Sequence, residues 1–238
     1  MFNFLDEINK IIYIMAPKCG TTTIASMLNV NLHTKQDLSN INNPEYKKII
    51  IIRKNVIDRF LSGFYEDLYN NSCYDNCNVT FNDYLLFLYK CFQEKKPHVD
   101  NMKIYTETDI PIWFGECSGL KLNITNDKGQ FISHIQSQKT AISNIVSLIN
   151  NTTNVEIIEL KNLSKITNNI KKNVKNKIFK LSDEINFSEL SLSYIKKNKI
   201  IINDNLLSNK EKEIILDIYK EDEIFINFLE EKFKYRNI

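Results

Sequence analysis

Lys18, Gly20, Thr21, Thr22 and Thr23 stand together in the run PKCGTTT, directly after the apolar stretch IIYIM at 11–15. The lysine brings a full positive charge, the glycine permits close approach of backbone to a ligand, and the threonines offer hydroxyl donors. β-Branched and aromatic residues in the apolar stretch predict a buried strand, which Pro17 and Gly20 break. Ile24, Met27 and Leu28 then fall at helical spacing. A helix starting near Thr22 leaves its first N–H groups without intrahelical acceptors and carries the positive end of its dipole, so the order of residues suits a phosphate or sulfate. The same residues also suit a plain strand-to-helix link with threonine caps.

A second pair of cations, Arg53 and Lys54, closes the run KKIIIIRK at 47–54. Four isoleucines without polar alternation predict a central parallel strand, Lys47 to Arg53, covered on both faces. Asn55 and Asp58 mark a helix start, and Val56, Phe60, Leu61, Phe64, Tyr65 and Leu68 give that helix an apolar stripe through Tyr69. Arg59 and Ser62 ride on it, and Arg59 by itself reads as a surface residue or a salt-bridge partner. Acid–base work falls to His33, His98, His134 or a carboxylate such as Glu45. His33 sits in the irregular stretch Asn29 to Tyr46, read here as a loop at the carboxyl ends of strands, where ligands of parallel sheets bind.

The phosphate loop of nucleotide triphosphatases is G-x-x-x-x-G-K-[ST], with its lysine after the second glycine. Here Lys18 precedes the glycine, and P-K-x-G-T-T resembles the phosphosulfate loop of the sulfotransferases. That resemblance implies binding of 3′-phosphoadenosine 5′-phosphosulfate (PAPS), with PAP as product. Lys18 would stabilise charge on the transferring group, and Cys19, Gly20, Thr21, Thr22 and Thr23 would form the 5′-phosphosulfate loop. Arg53, Arg59, Ser62, Gly63 and Phe64 in IIRKNVIDRFLSGF match most of the family's 3′-phosphate pattern, so Arg53 and Ser62 would hold the 3′-phosphate. The usual proline is absent, and counting back from Ser62 puts Lys54 at the family's arginine. A longer turn keeps Arg53 in the role; otherwise Lys54 takes the contact as a point charge without the bidentate fork.

Two further matches narrow the resemblance to the Golgi-type carbohydrate sulfotransferases. HIQSQ is similar to H-x-x-P-Q, with His134 and Gln138 in place and Ser137 where proline is usual, and the Glu159 region follows on a strand. Tyr219, Asp222 and Phe225 reproduce Y-x-x-D-x-x-[FL]. The implied reaction moves a sulfuryl group in line to a hydroxyl, less readily an amine, of a glycan or other acceptor, and no metal is implied. A base of the His or Glu type must take the acceptor proton, with His33 the first choice on position. Two rivals stay open: a P-loop small-molecule kinase, and a non-catalytic module binding a sulfated or phosphorylated ligand.

The remaining elements frame these residues. Residues before Ile11 read as a lead-in. Thr80 to Asp83 begins a helix through about Phe92, and Gln93 to Gln130, which holds Trp113 and Glu116, is an irregular insertion suited to acceptor binding. HIQSQ opens a helix bearing Ile142, Ile145, Val146 and Ile149, VEIIEL at 155–160 is a third strand, and Lys199 to Ile202 reads as an edge strand. Ser208 and Glu211 form a capping box before one long amphipathic helix. The fold this predicts is α/β: a single P-loop-like domain over 1–238, with a central, mostly parallel sheet flanked by helices.

Composition sets outer bounds. A chain of 238 residues suffices for one α/β domain, and 43% hydrophobic with 25% charged residues is globular. With 31 basic against 29 acidic residues the net charge is +2, which leaves no broad nucleic-acid surface but allows a local basic pocket. No apolar run approaches the roughly 18 to 20 residues of a membrane span, and MFNFLDEINK has acidic residues where a signal peptide is basic. The expectation is a cytoplasmic chain, or a piece cut from an anchored one. Cys19, Cys73, Cys77, Cys91 and Cys117 show no repeated metal spacing and read as free thiols, with a Cys73–Cys77 pairing as the alternative.

Overall fold

The short runs IIYIM, KKIIII and VEIIE, rich in β-branched residues, pair side by side as parallel strands. In the computed structural model, residues 2–30, 38–70, 74 and 75, 78–93, 137–150, 154–165, 187–201 and 203–233 are described. His33, His98 and His134, the insertion beyond residue 93, and Cys73, Cys77 and Cys117 lie outside them.

The sheet order is β1 (Phe2–Asp6), β2 (Ile11–Met15), β3 (Lys47–Ile52), β4 (Val155–Glu159). β2 and β3 are parallel, as are β3 and β4, while β1 pairs antiparallel with β2. The chain is thus α/β with a mostly parallel four-stranded sheet. β1 corrects the expectation of a mere lead-in. Its hairpin has no glycine: Asn9 donates from its backbone N–H and its side chain to the Asp6 carboxylate at 3.0 and 2.8 Å, and Lys10 takes the left-handed conformation at φ 53°.

Contacts divide the chain into two compact units. The first comprises Met1–Asn55, Ser137–Asn173 and Lys220–Ile238. It holds the sheet with α1 (Thr21–Leu28), α4 (Gln138–Leu148) and α7 (Lys220–Lys232), and α4 packs on β2 and on α7. Its core runs through Ile14, Ile50, Ile51, Ile157, Ile142 and Leu229. Lys48 interrupts the apolar run of β3. It is buried, its Nζ donates to the Asn43 carbonyl at 2.7 Å, and burial pulls its ammonium below the usual lysine range.

The second unit comprises Val56–Gln136 and Val174–Tyr219. It holds α2 (Val56–Asn70), α3 (Phe81–Gln93), α5 (Leu192–Lys197) and α6 (Asn209–Ile218). Thr80 caps α3 by accepting from the Asp83 N–H at 3.1 Å, and the Ser208–Glu211 capping box opens α6. Two expectations are corrected here. Lys199, Ile200 and Ile201 are not in a strand; Lys199 instead adopts φ 51° after α5 and its N–H returns to the Lys196 carbonyl. The long C-terminal helix is two, α6 and α7, separated by Tyr219 at φ −107°, ψ 15°. Among the described residues no helix is long and apolar enough to cross a membrane.

Candidate functional site

At the carboxyl end of β2 the chain turns within four residues, the Cys19 N–H donating to the Ala16 carbonyl at 3.2 Å. Pro17 holds the second position, and Lys18 the third, at φ 65°. A turn with proline second and positive φ third normally asks for glycine there. A lysine in the left-handed region costs about 1–2 kcal/mol, so its side chain stands where the backbone would favour none. Strain of this kind clusters at ligand clamps.

Gly20 follows at φ 93° as the residue before α1. Its place is also fixed from within, because a Cβ there would meet Leu160 Cδ1 and Leu163 Cδ2, both at 2.9 Å. It offers α1 no side-chain cap, and the first turn of α1 contains no acidic residue. The first N–H groups of α1, at Thr21, Thr22 and Thr23, lack intrahelical acceptors by helix geometry. Thr22 is exposed, and Thr21 and Thr23 are half-buried.

Cys19 behaves differently from its neighbours. Its thiol is fully buried and donates to Gln138 Oε1 at 3.2 Å, so the side chain braces the loop from inside. The same Oε1 accepts from the Arg53 N–H at 2.9 Å, and Gln138 Nε2 donates to the Arg53 carbonyl at 3.0 Å. Arg53 lies just past β3, and its Nη1 reaches the Lys18 carbonyl at 3.5 Å, the outer limit of a hydrogen bond. Lys54 turns elsewhere, its Nζ pairing with Glu230 at 2.6 Å. Of the two cations that counting left open, Arg53 is the one against the loop.

Asp222, fully buried in the first turn of α7, accepts from the Gln138 N–H through Oδ2 and from the Lys139 N–H through Oδ1, each at 2.9 Å. It therefore caps α4. Gln138 and Asp222 stand at the H-x-x-P-Q-like and Y-x-x-D-x-x-[FL]-like positions, and that spacing is the signal in the sequence for this contact. Arg59 is not a surface residue. It is buried in the second unit with its guanidinium carbon 4.9 Å from the Tyr219 ring centroid. Ser62 is half-buried on α2, and its 3′-phosphate role stays an expectation of the resemblance.

His33 lies outside the described residues, but the return of its stretch to the sheet is described. The stretch 29–46 enters β3 at Lys47, which pairs with Ile11 at the amino end of β2, whereas the PKCGTTT loop follows Met15 at the carboxyl end. A helix returning to a parallel strand delivers the chain to that strand's amino end, so this stretch rejoins the sheet at the edge opposite the loop. Among the described residues no group of three or more His, Cys, Asp or Glu could hold a metal ion.

The donor set suits an anion of several charges. Lys18 and Arg53 supply two cations from adjacent strand ends, the start of α1 adds N–H groups, and no carboxylate stands in its first turn. No known protein family, curated protein or solved structure matches the chain.

Proposed function

We propose that this chain is a PAPS-dependent sulfotransferase with a P-loop-like arrangement of strand, loop and helix, acting on an acceptor hydroxyl, most readily that of a carbohydrate. The observation that carries the reading is the approach of Arg53 Nη1 to the Lys18 carbonyl, which joins the two cations named by the motifs in one small region. Lys18 in its left-handed turn, the inward-packed Gly20 and the uncapped start of α1 add to it.

Lys18, the N–H groups from Gly20 to Thr23 and their hydroxyls would hold the 5′-phosphosulfate end, and Arg53 the 3′-phosphate. When bound, PAPS supplies the sulfuryl group, which passes to the acceptor oxygen as the bond to PAP breaks and the acceptor proton leaves to a base. Lys18 stabilises negative charge in that transfer, and the loop contributes by orientation. The kinase alternative needs a lysine after the glycine and a carboxylate at a strand end. Glu159, at the end of β4 and paired with the exposed Lys161 at 2.8 Å, offers the second, but Gly20 is followed by Thr21 and not by a lysine.

The test is transfer of labelled sulfate from PAPS across a panel of glycans. Turnover should appear with at least one acceptor, and Lys18→Ala should lower it on the order of 100- to 1000-fold with little change in melting temperature. Near-normal turnover by Lys18→Ala would remove the lysine from the mechanism.

A further inference from the structure

A glutamine whose side chain reaches both halves of one residue's backbone acts like a short strand. β3 ends at Ile52, whose partner on β4 is Glu159. One residue later the Gln138 carboxamide accepts from the Arg53 N–H at 2.9 Å and donates to the Arg53 carbonyl at 3.0 Å. Only one orientation of the amide satisfies both bonds. Its oxygen takes a second donor, the Cys19 thiol, at 3.2 Å. Gln138 is 1% exposed, and its own N–H is held by Asp222. One side chain thereby fastens the strand end bearing Arg53 to the loop bearing Lys18.

Past the end of β3 the two cations part: Arg53 Nη1 reaches the Lys18 carbonyl, and Lys54 Nζ pairs with Glu230. A slip of one residue would exchange them. We propose that Gln138, supported by Asp222, is a positioning residue: by holding the Arg53 peptide it sets the register in which the arginine fork, and not the lysine, meets the 3′-phosphate of the nucleotide. This role rests on the PAPS reading above. Gln138 touches no ligand in it; it acts through Arg53. Lys54, paired with Glu230, is left on the other course.

The experiment is a double-mutant cycle read by calorimetric titration with PAP and with adenosine 5′-phosphosulfate, which lacks the 3′-phosphate. Gln138→Ala and Arg53→Ala should each weaken PAP on the order of 10- to 100-fold, and the double variant should be no weaker than Arg53→Ala alone. Each should weaken adenosine 5′-phosphosulfate by a smaller factor than it weakens PAP. The Arg53 amide should lose hydrogen-exchange protection in Gln138→Ala, a change that needs no ligand. Gln138→Met keeps the side-chain length without the hydrogen bonds and replaces Gln138→Ala if that variant does not fold. Wild-type PAP affinity in a folded Gln138 variant, or additive losses in the cycle, would overturn the positioning role alone. Failure of the wild-type chain to bind PAP would overturn the functional reading and this role with it.

Discussion

Where the first unit closes around Ile49, Ile50, Ile51, Ile157 and Ile158, the second closes around rings. Phe81 lies 5.2 Å from Phe64 and 4.8 Å from Phe187, and Phe64 lies 5.4 Å from Tyr84, between ring centroids. Among the described residues the buried polar side chains also concentrate in the first unit. There Lys48, Gln138 and Asp222 are each held by directional bonds at or near the ends of strands and helices. In the second, Glu211 is bonded into the cap of α6 and Arg59 lies over the Tyr219 ring. Burying polar atoms is costly unless they are hydrogen-bonded, so a region rich in them is fixed by direction as much as by area. Ring packing fixes by area and shape. The sheet-bearing unit thus holds particular atoms in place, while the helical one is held by packed rings.

The largest expected effect tests the helical side of that contrast. Phe81 is fully buried, and Phe81→Ala should cost about 3–5 kcal/mol of stability in urea unfolding. The PAP affinity of the chain that remains folded should not change. A loss of affinity with little loss of stability would erase the distinction.

A second prediction concerns the base. His134 lies four residues before Gln138 in the chain, whereas the stretch bearing His33 rejoins the sheet at the amino end of β3. His134→Ala should therefore lower turnover on the order of 100-fold or more, the usual cost of losing a general base, and His33→Ala far less. The reverse order would restore the reading in which the 29–46 stretch flanks the nucleotide.

Much of the fold was legible in the sequence because its strands are unbroken apolar runs and its caps have short signatures. IIYIM, KKIIII and VEIIE became β2, β3 and β4 within a residue, and Thr80 and Ser208 began helices as their spacing predicts. β1 was not legible, since NFLD is short, ends in polar residues and turns without glycine. Neither was the break at Tyr219, because the apolar periodicity runs through it and tertiary packing decides where a helix stops. In the candidate site, Lys18 and Gly20 were readable from residue type. The choice between Arg53 and Lys54 was not, because it depends on a glutamine 85 positions away and on Glu230. The return of the 29–46 connection to the amino end of β3 was not legible either, because residue types do not show at which end of the sheet a connection re-enters; His33 itself lies outside the described residues.

The smallest effect concerns Lys48, a directional bond far along β3 from the loop. In an unfolded chain a lysine titrates near 10.4, while burial lowers the value for Lys48 in the folded protein. Below the folded value both states are protonated, and the cost of burying the charge is felt in full. Between the two values the unfolded state binds more protons, so this group makes stability rise with pH. Lys48→Met should raise the melting temperature at pH 7, and the gain should shrink as pH approaches about 10. A gain constant across that range would mean that the ammonium is not strained by burial.

The central claim is that the loop from Lys18 to Thr23, with Arg53 beside it, binds a 3′-phosphorylated adenine nucleotide without a metal. Thermal shift of the intact chain with PAP, and with ATP in the presence and absence of Mg²⁺, tests this most directly. At about 100 times its dissociation constant, PAP should stabilise the fold by roughly 2.7 kcal/mol, with or without Mg²⁺, and the shift should vanish in Lys18→Ala. Stabilisation by ATP that depends on Mg²⁺, with none by PAP, would contradict the account and favour the kinase reading.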